Sequence, residues 1–317
     1  MIKNYYKNTE KSKSNVSNTL KNKRIIGFRS KLIVGFLVPA VLIIVVGFVL
    51  YGISKITIIK NYEETTQGNV DNSSLYFSLL MKDIEAKSSQ IANNNDLIYY
   101  YARYGTYSIA EANTFYKNIK SIMSNIVQSS DGIYNAYAFG KEGVPVSTLT
   151  KEPSPNIYQN FIKSEDAVRW EDAAVSSGGR KSAWLGYHSS LDAETGASPE
   201  YYAASFIRTF SKGEGYIAID LLKTEVEEVL KNTISNEHGL AVFITADGRE
   251  TMVTGEKLDI DQTAYMVHVS DQDFYKNAVA GENHNGFDYV DYQGKPSLFV
   301  YSKIGNTGAV ICTIIPE

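Results

Sequence analysis

Both tryptophans of the 317-residue chain fall in one stretch, VRWEDAAVSSGGRKSAWLGYHSS, from Val168 to Ser190. Trp170 follows Arg169, and Trp184 stands beyond Gly178-Gly179, close to Tyr187 and His188. Aromatic rings with an arginine and a few polar groups can line a site for a small solute, so the tryptophans are either walls of such a site or core residues. Two charged residues further on leave the same choice open. Arg208, near the end of an apolar run, either pairs with an acid structurally or meets an anionic ligand. Asp220 either faces a ligand or caps a helix starting at Leu221-Leu222, a role aspartate performs well.

Catalytic signatures are missing from the sequence. It contains no P-loop, no Gly-x-Ser-x-Gly elbow, no His-Glu-x-x-His and no clustered cysteines. The four histidines, His188, His238, His268 and His284, are scattered without metal-ligand spacing, so no metal and no cofactor is expected. Asp259/Asp261 and Asp271/Asp273 lack the ligand series and glycine of a calcium loop and read as turn carboxylates. With no nucleophile and base in view, the chain reads as a non-enzyme, and binding or sensing becomes the default class.

The elements that must hold these residues begin at a membrane. Leu32 to Ile53 is 22 residues without a charge, and at about 1.5 Å per residue it covers roughly 33 Å, enough to cross a bilayer core. A cleaved signal peptide would have a shorter apolar run and a small-residue cleavage site, whereas Tyr51 to Lys55 offers none. Residues 1–31 hold nine Lys/Arg and one acid; taking these from 31 basic and 35 acidic residues leaves 22 against 34. The basic flank predicts a cytoplasmic N-terminus and an extracytoplasmic body from residue 54. That body is acidic, which argues against nucleic acid as a partner. Its only cysteine, Cys312, can form no internal disulfide, so the exported part must stand on its core.

Beyond the span, Val70, Phe77, Ile84 and Ile91 recur every seven residues, with Met81 on the same stripe of a long helix. The stripe either pairs with a second subunit or lies on its own domain. Phe115, Ile119, Ile122 and Ile126 mark a second helix. From Ile133 the period becomes strand-like: 134–140 and 144–149 form a hairpin about Lys141-Glu142-Gly143. A helix from Trp170 to Ser176 ends at Gly178-Gly179, and strands follow at 182–188, 201–210 and 215–221. Along a regular strand 182–188, Trp184 and Tyr187 face opposite ways, which places Tyr187 on the ligand side and Trp184 in the core. A helix carrying Leu222, Val226, Val229 and Leu230 closes the unit near Ile234. The pattern then returns in shorter form, with strands at 239–246, 287–292, 297–304 and 308–315 and a helix over 274–280. These elements predict an α+β fold with antiparallel sheets in two tandem modules.

The order Trp-(x)3-Ala-Ala, Gly-Gly, SAWLGYHSS, a strand ending in FIRTF, then GYIAID resembles the first module of a double Cache (PAS-like) sensor domain. GKPSLFVYSKIGNTGAVICTIIPE is similar to the end of the second module, and KNKRIIGFRSKLIVGFLVPAVLIIVVGF resembles the anchor of methyl-accepting chemotaxis receptors. The resemblance covers most of residues 20–317. It implies a basic tail over 1–31, a transmembrane helix over 32–53, a long helix with the membrane-distal module over 54–236, and the membrane-proximal module over 237–317. It further implies a small-molecule ligand in the distal module, a homodimer, and output through chemotaxis, with a histidine kinase, a diguanylate cyclase or a non-signalling surface-anchored binding or adhesion protein as alternatives. Complete receptors of this kind continue into a second membrane helix and a cytoplasmic domain, so the chain is expected to be an N-terminal portion or a truncated paralogue. The candidate ligand-binding residues are Trp170, Arg169, Tyr187, Asp220, Arg208 and Tyr137. Amino-acid-binding members run Arg-x-Trp-Tyr, Tyr-x-Asp and a later Asp. Trp170, Tyr187 and Asp220 match that pattern, whereas Val168, Glu171 and Ser189 depart from it, so an amino acid is one possible ligand among small solutes.

Overall fold

A computed structural model describes residues 27–176, 181–234, 237–257 and 267–316. Gly178-Gly179 and Asp259/Asp261 lie outside them. The chain divides into two compact units, one up to Tyr62 and one from Glu63. In the first, helix α1 (Phe28–Ala92) carries the apolar span, with Pro39 inside it. Its most apolar window has a mean hydropathy of 3.1 and none of that window is buried, so the helix is long and apolar enough to cross a membrane. The expected membrane helix and connecting helix are one element of 65 residues without a break.

In the second unit α1 continues as the spine of two five-stranded antiparallel sheets. Helices α2 (Asn95–Ala102) and α3 (Ile109–Gln128) follow it; Ser108 and Glu111 form a capping box that starts α3. The first sheet, called distal only after the expected position of its module as the second is called proximal, contains β1 (Ile133–Gly140), β2 (Val146–Ser147), β3 (Ser182–Leu185), β4 (Tyr202–Thr209) and β5 (Gly215–Leu222), in the order β2-β1-β5-β4-β3. Between β2 and β4 the chain forms α4 (Ile157–Phe161), α5 (Glu165–Ser176) and α6 (Ser189–Thr195). Helix α7 (Lys223–Thr233) leads to the proximal sheet, β7-β6-β10-β9-β8, built from β6 (Leu240–Ile244), β7 (Glu250–Thr254), β8 (Asn285–Tyr292), β9 (Lys295–Lys303) and β10 (Val310–Pro316), with α8 (Asp273–Ala280) before β8.

Period-2 alternation decides which side of each sheet a residue serves. Ala136 and Ala138 of β1, Ile217 and Ile219 of β5 and Phe206 of β4 pack toward α1. Tyr137, Phe139, Ile207 and Ala218 point the other way, onto α4 and α5. The α1 stripe is buried in its own domain: Val70, Phe77, Met81, Ile84 and Ile91 all belong to one core that reaches both sheets, and the Phe77 ring lies 5.2 Å from that of Phe243 on β6. This resolves the choice left open for the stripe. Within this unit α1 leaves Leu75 and Leu79 outside, 61% and 60% exposed.

The strand expected over 182–188 stops at Leu185. Gly186 is taken out of the ladder because its N–H donates to both carboxylate oxygens of Asp247, each at 2.9 Å, and its carbonyl accepts from Arg249. The carboxylate of Asp166 then accepts from the Ser190 N–H at 2.7 Å and starts α6, a short helix absent from the strand pattern. Gly196, at φ +73°, ends it in the left-handed conformation.

Candidate functional site

The distal module has a charged interior on the sheet face turned away from α1. His188, between β3 and α6, is fully buried, as is Asp220 of β5. The imidazole Nε2 is 2.7 Å from Asp220 Oδ1, and Nδ1 is 3.1 Å from Asp192 Oδ1 on the first turn of α6. Tyr137 of β1 donates its hydroxyl to Asp220 Oδ2 at 2.9 Å, and Tyr202 of β4 donates to Asp192 Oδ2 at 2.9 Å. The Tyr202 ring stacks on His188 with centroids 4.4 Å apart. Burial works against a charged His188, but the carboxylates of Asp220 and Asp192 outweigh it and push the imidazole up to about 10. At neutral pH the ring is therefore an imidazolium, with Nε2 hydrogen-bonded to Asp220 and Nδ1 within ion-pair distance of Asp192 Oδ1, an oxygen that itself has no hydrogen-bond partner. Burial, and then the charge of Asp220 or Asp192, pushes the Tyr137 and Tyr202 phenols up, so both stay protonated and act as donors. Asn135, opposite Asp220 in the β1–β5 register, is buried and its amide nitrogen has no hydrogen-bond partner.

This interior touches the proximal module through one turn. Arg249, just before β7, is only 7% exposed and lies against the rings of Tyr187 and Tyr202, at 4.1 and 4.6 Å. Its guanidinium donates to three distal carbonyls: Gly186 at 2.5 Å, Pro199 at 2.5 Å and Tyr202 at 2.6 Å. Asp247 of the same turn receives Arg169 Nη1 at 3.1 Å. Tyr202 thus faces His188 with one side of its ring environment and Arg249 with another, which connects the buried charges to the second sheet through contacts alone.

The structure disperses the sequence candidates. Tyr137 and Asp220 meet, in direct hydrogen bond. Arg169 and Tyr187 meet at the module junction, where Arg169 Nη2 donates to the Tyr187 carbonyl at 3.0 Å and also pairs with Asp166. Trp170 lies in the core under α5, its indole N–H donating to the Ile207 carbonyl at 2.8 Å and its ring edge-on to Tyr216 at 5.3 Å. Arg208 is on the opposite face of the sheet, against α1, where it donates to Ser88 Oγ at 3.2 Å and the Glu85 carbonyl at 3.4 Å. Trp184 shares that face, with its indole N–H 3.0 Å from a Glu85 carboxylate oxygen. Asp220 caps no helix: α7 begins at Lys223 with no side-chain cap, and the Asp220 carboxylate is engaged by His188 and Tyr137.

His188, Asp192 and Tyr202 escaped the sequence reading. The signal available was the i, i+4 spacing of His188 and Asp192, which acquires meaning only if Ser189 begins a helix. Asp220, 32 residues on, has no sequence relation to His188 at all. Among the described residues no group of three or more His, Cys, Asp or Glu is arranged to hold a metal ion, and buried Cys312 has its thiol pushed up by desolvation, which makes it inert.

No protein-family model and no curated protein matches the chain. Solved structures do. The extracellular domain assigned to a histidine kinase, rpHK1S-Z16, superposes with a TM-score of 0.54 at 9% identity, over 82% of this chain and 96% of that one. The extracellular domain assigned to the histidine kinase soHK1S-Z6 gives 0.51 at 13% identity, over 83% and 97%. The sensory domain of the Campylobacter jejuni chemoreceptor Tlp3, solved with isoleucine bound, gives 0.47 at 14% identity over 85% and 95%, a score that adds nothing to the other two. At these identities the likeness concerns the fold.

Proposed function

From the double Cache sensor fold that this chain has, we propose that it is the extracytoplasmic ligand-sensing region of a transmembrane chemotaxis receptor, with its N-terminus in the cytoplasm and the two modules outside. The observation that carries this reading is the charged interior of the distal module. His188, Asp192 and Asp220 are desolvated at a cost that a purely structural module avoids with apolar packing, and the Asn135 amide beside them lacks a partner. A small polar solute entering this interior finds the Asn135 donor, the Tyr137 hydroxyl and the Asp220 carboxylate on one face of the sheet. Its binding shifts the balance between two arrangements of the cluster. Tyr202 and Arg249 pass the change to the proximal module, and the Trp184 and Arg208 contacts with Glu85 and Ser88 pass it to α1. A second copy packs along the outer face of α1 at Leu75 and Leu79, which lie opposite the buried stripe.

The test is thermal melting of the full chain in detergent micelles against a panel of small metabolites. A true ligand at about 100 times its Kd stabilises by about 2.7 kcal/mol, and the shift disappears in Asp220→Asn. A broad panel without a shift, or a shift that Asp220→Asn leaves unchanged, refutes this site. A histidine kinase or diguanylate cyclase is the second output, and the structures above a TM-score of 0.5 bear the former name. Joining residues 1–317 through a second membrane helix to a chemoreceptor's cytoplasmic signalling domain, and recording biased swimming with the stabilising solute, tests the chemotaxis output; a fusion that folds, inserts and binds the solute without altering swimming refutes it.

A further inference from the structure

β3 is an edge strand of the distal sheet, and the phase of its main chain is known at both ends. The Lys181 carbonyl accepts from Thr209 N at 3.0 Å, on the β4 side. Antiparallel pairing alternates, so Ala183 and Leu185 also turn their N–H and C=O groups toward β4, opposite Ile207 and Ser205. Ser182, Trp184 and Gly186 turn theirs to the free edge. Gly186 confirms the phase, because its N–H and carbonyl meet Asp247 and Arg249 there. Ser182 and Trp184 carry the next edge groups along; Trp184 lines a cleft of about 790 Å³ between β3, the end of α5 and two turns of the proximal sheet, and Ser182 lines a small hollow of about 30 Å³ that shares Trp184, Asn306 and Thr307 with it. Arg169, Ala183, Trp184, Asp247, Asn306 and Thr307 are among its walls. The cleft's volume lies in the range of small-ligand sites, and β3 from Ser182 to Leu185 is about 10 Å long at roughly 3.3 Å per residue.

We propose that this cleft is a second binding site, separate from the charged interior, and that its ligand is a short peptide in extended conformation that adds to β3 as a further strand. The occupant follows from the wall: main-chain donors and acceptors at a two-residue period are matched by another extended main chain and by little else. Asp247 and Arg249 already imitate such a strand at Gly186. A peptide continuing from them past Trp184 toward Ser182 would lie against the Asn306-Thr307 turn and so touch both modules at once.

The test uses the full chain in detergent micelles carrying Trp170→Phe, which leaves Trp184 as the sole tryptophan. The probe is acetyl-Ala-Val-Ala-amide, with the same peptide N-methylated at its central amide as control. The expected result is a saturable change in Trp184 emission, weakened about tenfold by N-methylation, since one or two lost hydrogen bonds amount to about one decade in affinity. Residue-resolved amide exchange supplies a readout without relying on the variant: in the wild-type chain, the peptide slows exchange at Ser182 and Trp184 and leaves Ala183 and Leu185 as they were. Asp220→Asn keeps the response, which separates this site from the one in the interior. Absence of a saturable response in a folded chain, equal binding of the N-methylated peptide, or unchanged exchange at Ser182 and Trp184 overturns the proposal.

Discussion

Replacing Arg249 with alanine tests whether one turn holds the two modules together. The guanidinium makes three hydrogen bonds to distal carbonyls and lies on two aromatic rings, with 7% of the residue exposed. Hydrogen bonds to a charged donor contribute about 1.5–3 kcal/mol each, and each cation–π contact about 0.5–2 kcal/mol. Against this stands the desolvation of the buried charge, several kcal/mol, which the alanine variant no longer bears. Removing the charge while leaving three carbonyls unpaired should then cost about 3–5 kcal/mol net. For a unit running from Glu63 to Glu317, each kcal/mol moves Tm by about 2–4 °C, so the variant melts roughly 6–20 °C lower. The assay is melting of the full chain in micelles by circular dichroism. Arg249→Lys should fall between the two, because an ammonium keeps the charge but cannot span three carbonyls or stack as a plane. A variant that melts within about 1 °C of the wild type would refute the reasoning and place the bond between modules elsewhere, since losses that small are typical of surface substitutions.

Gly186→Ala should reproduce much of that loss without touching a charge, because a Cβ there would stand 2.5 Å from Arg249 Cβ and 2.7 Å from Asp247 Oδ1; in the double variant the two losses should fall short of their sum, as a double-mutant cycle would read. His188 titrates near 6.5 when unfolded and is held up to about 10 when folded, so its contribution is complete below about pH 6.5 and disappears as pH rises to about 10. Urea unfolding across that range should show wild-type stability falling by a few kcal/mol, with a smaller slope in His188→Gln; equal slopes would mean that the imidazolium is not held as described. Trp170→Ala removes a buried ring and its hydrogen bond to Ile207, and should cost about 3–5 kcal/mol, read by the same unfolding. Leu79→Glu, on the exposed face of α1, should leave the melting temperature nearly unchanged and shift sedimentation from dimer to monomer; a dimer that survives it places the second copy elsewhere.

Much of the fold was legible because it depends on local periodicity. The apolar run, the α1 stripe and the strands at 202–209, 215–222, 240–244 and 310–316 follow from hydrophobic spacing that each segment carries alone. The short helices α2, α4 and α6 were not legible, since they rest on partners from outside, as α6 rests on the carboxylate of Asp166 accepting from Ser190. The same distinction runs through the site. The opposition of Trp184 to its neighbours was read from strand alternation and holds, with Ala183 and Leu185 in one core and Trp184 in the other. The alternation does not reach Tyr187, because the strand ends at Leu185 and Gly186 leaves the ladder to meet Asp247 and Arg249.

By itself, then, the sequence determined the long apolar helix, the acidic body that follows it, two antiparallel modules and the lack of catalytic motifs, all of which are sums over composition or repeats along one segment. Only the tertiary structure decided which charges meet. Asp220 reads equally well as a cap or a ligand contact until β5 places it 2.7 Å from His188, and Arg249 reads as an ordinary turn residue until Gly186, Pro199 and Tyr202 turn three carbonyls toward it. The reason is physical: a buried charge is tolerated only with its partners in place, and those partners come from strands and turns that folding alone brings together.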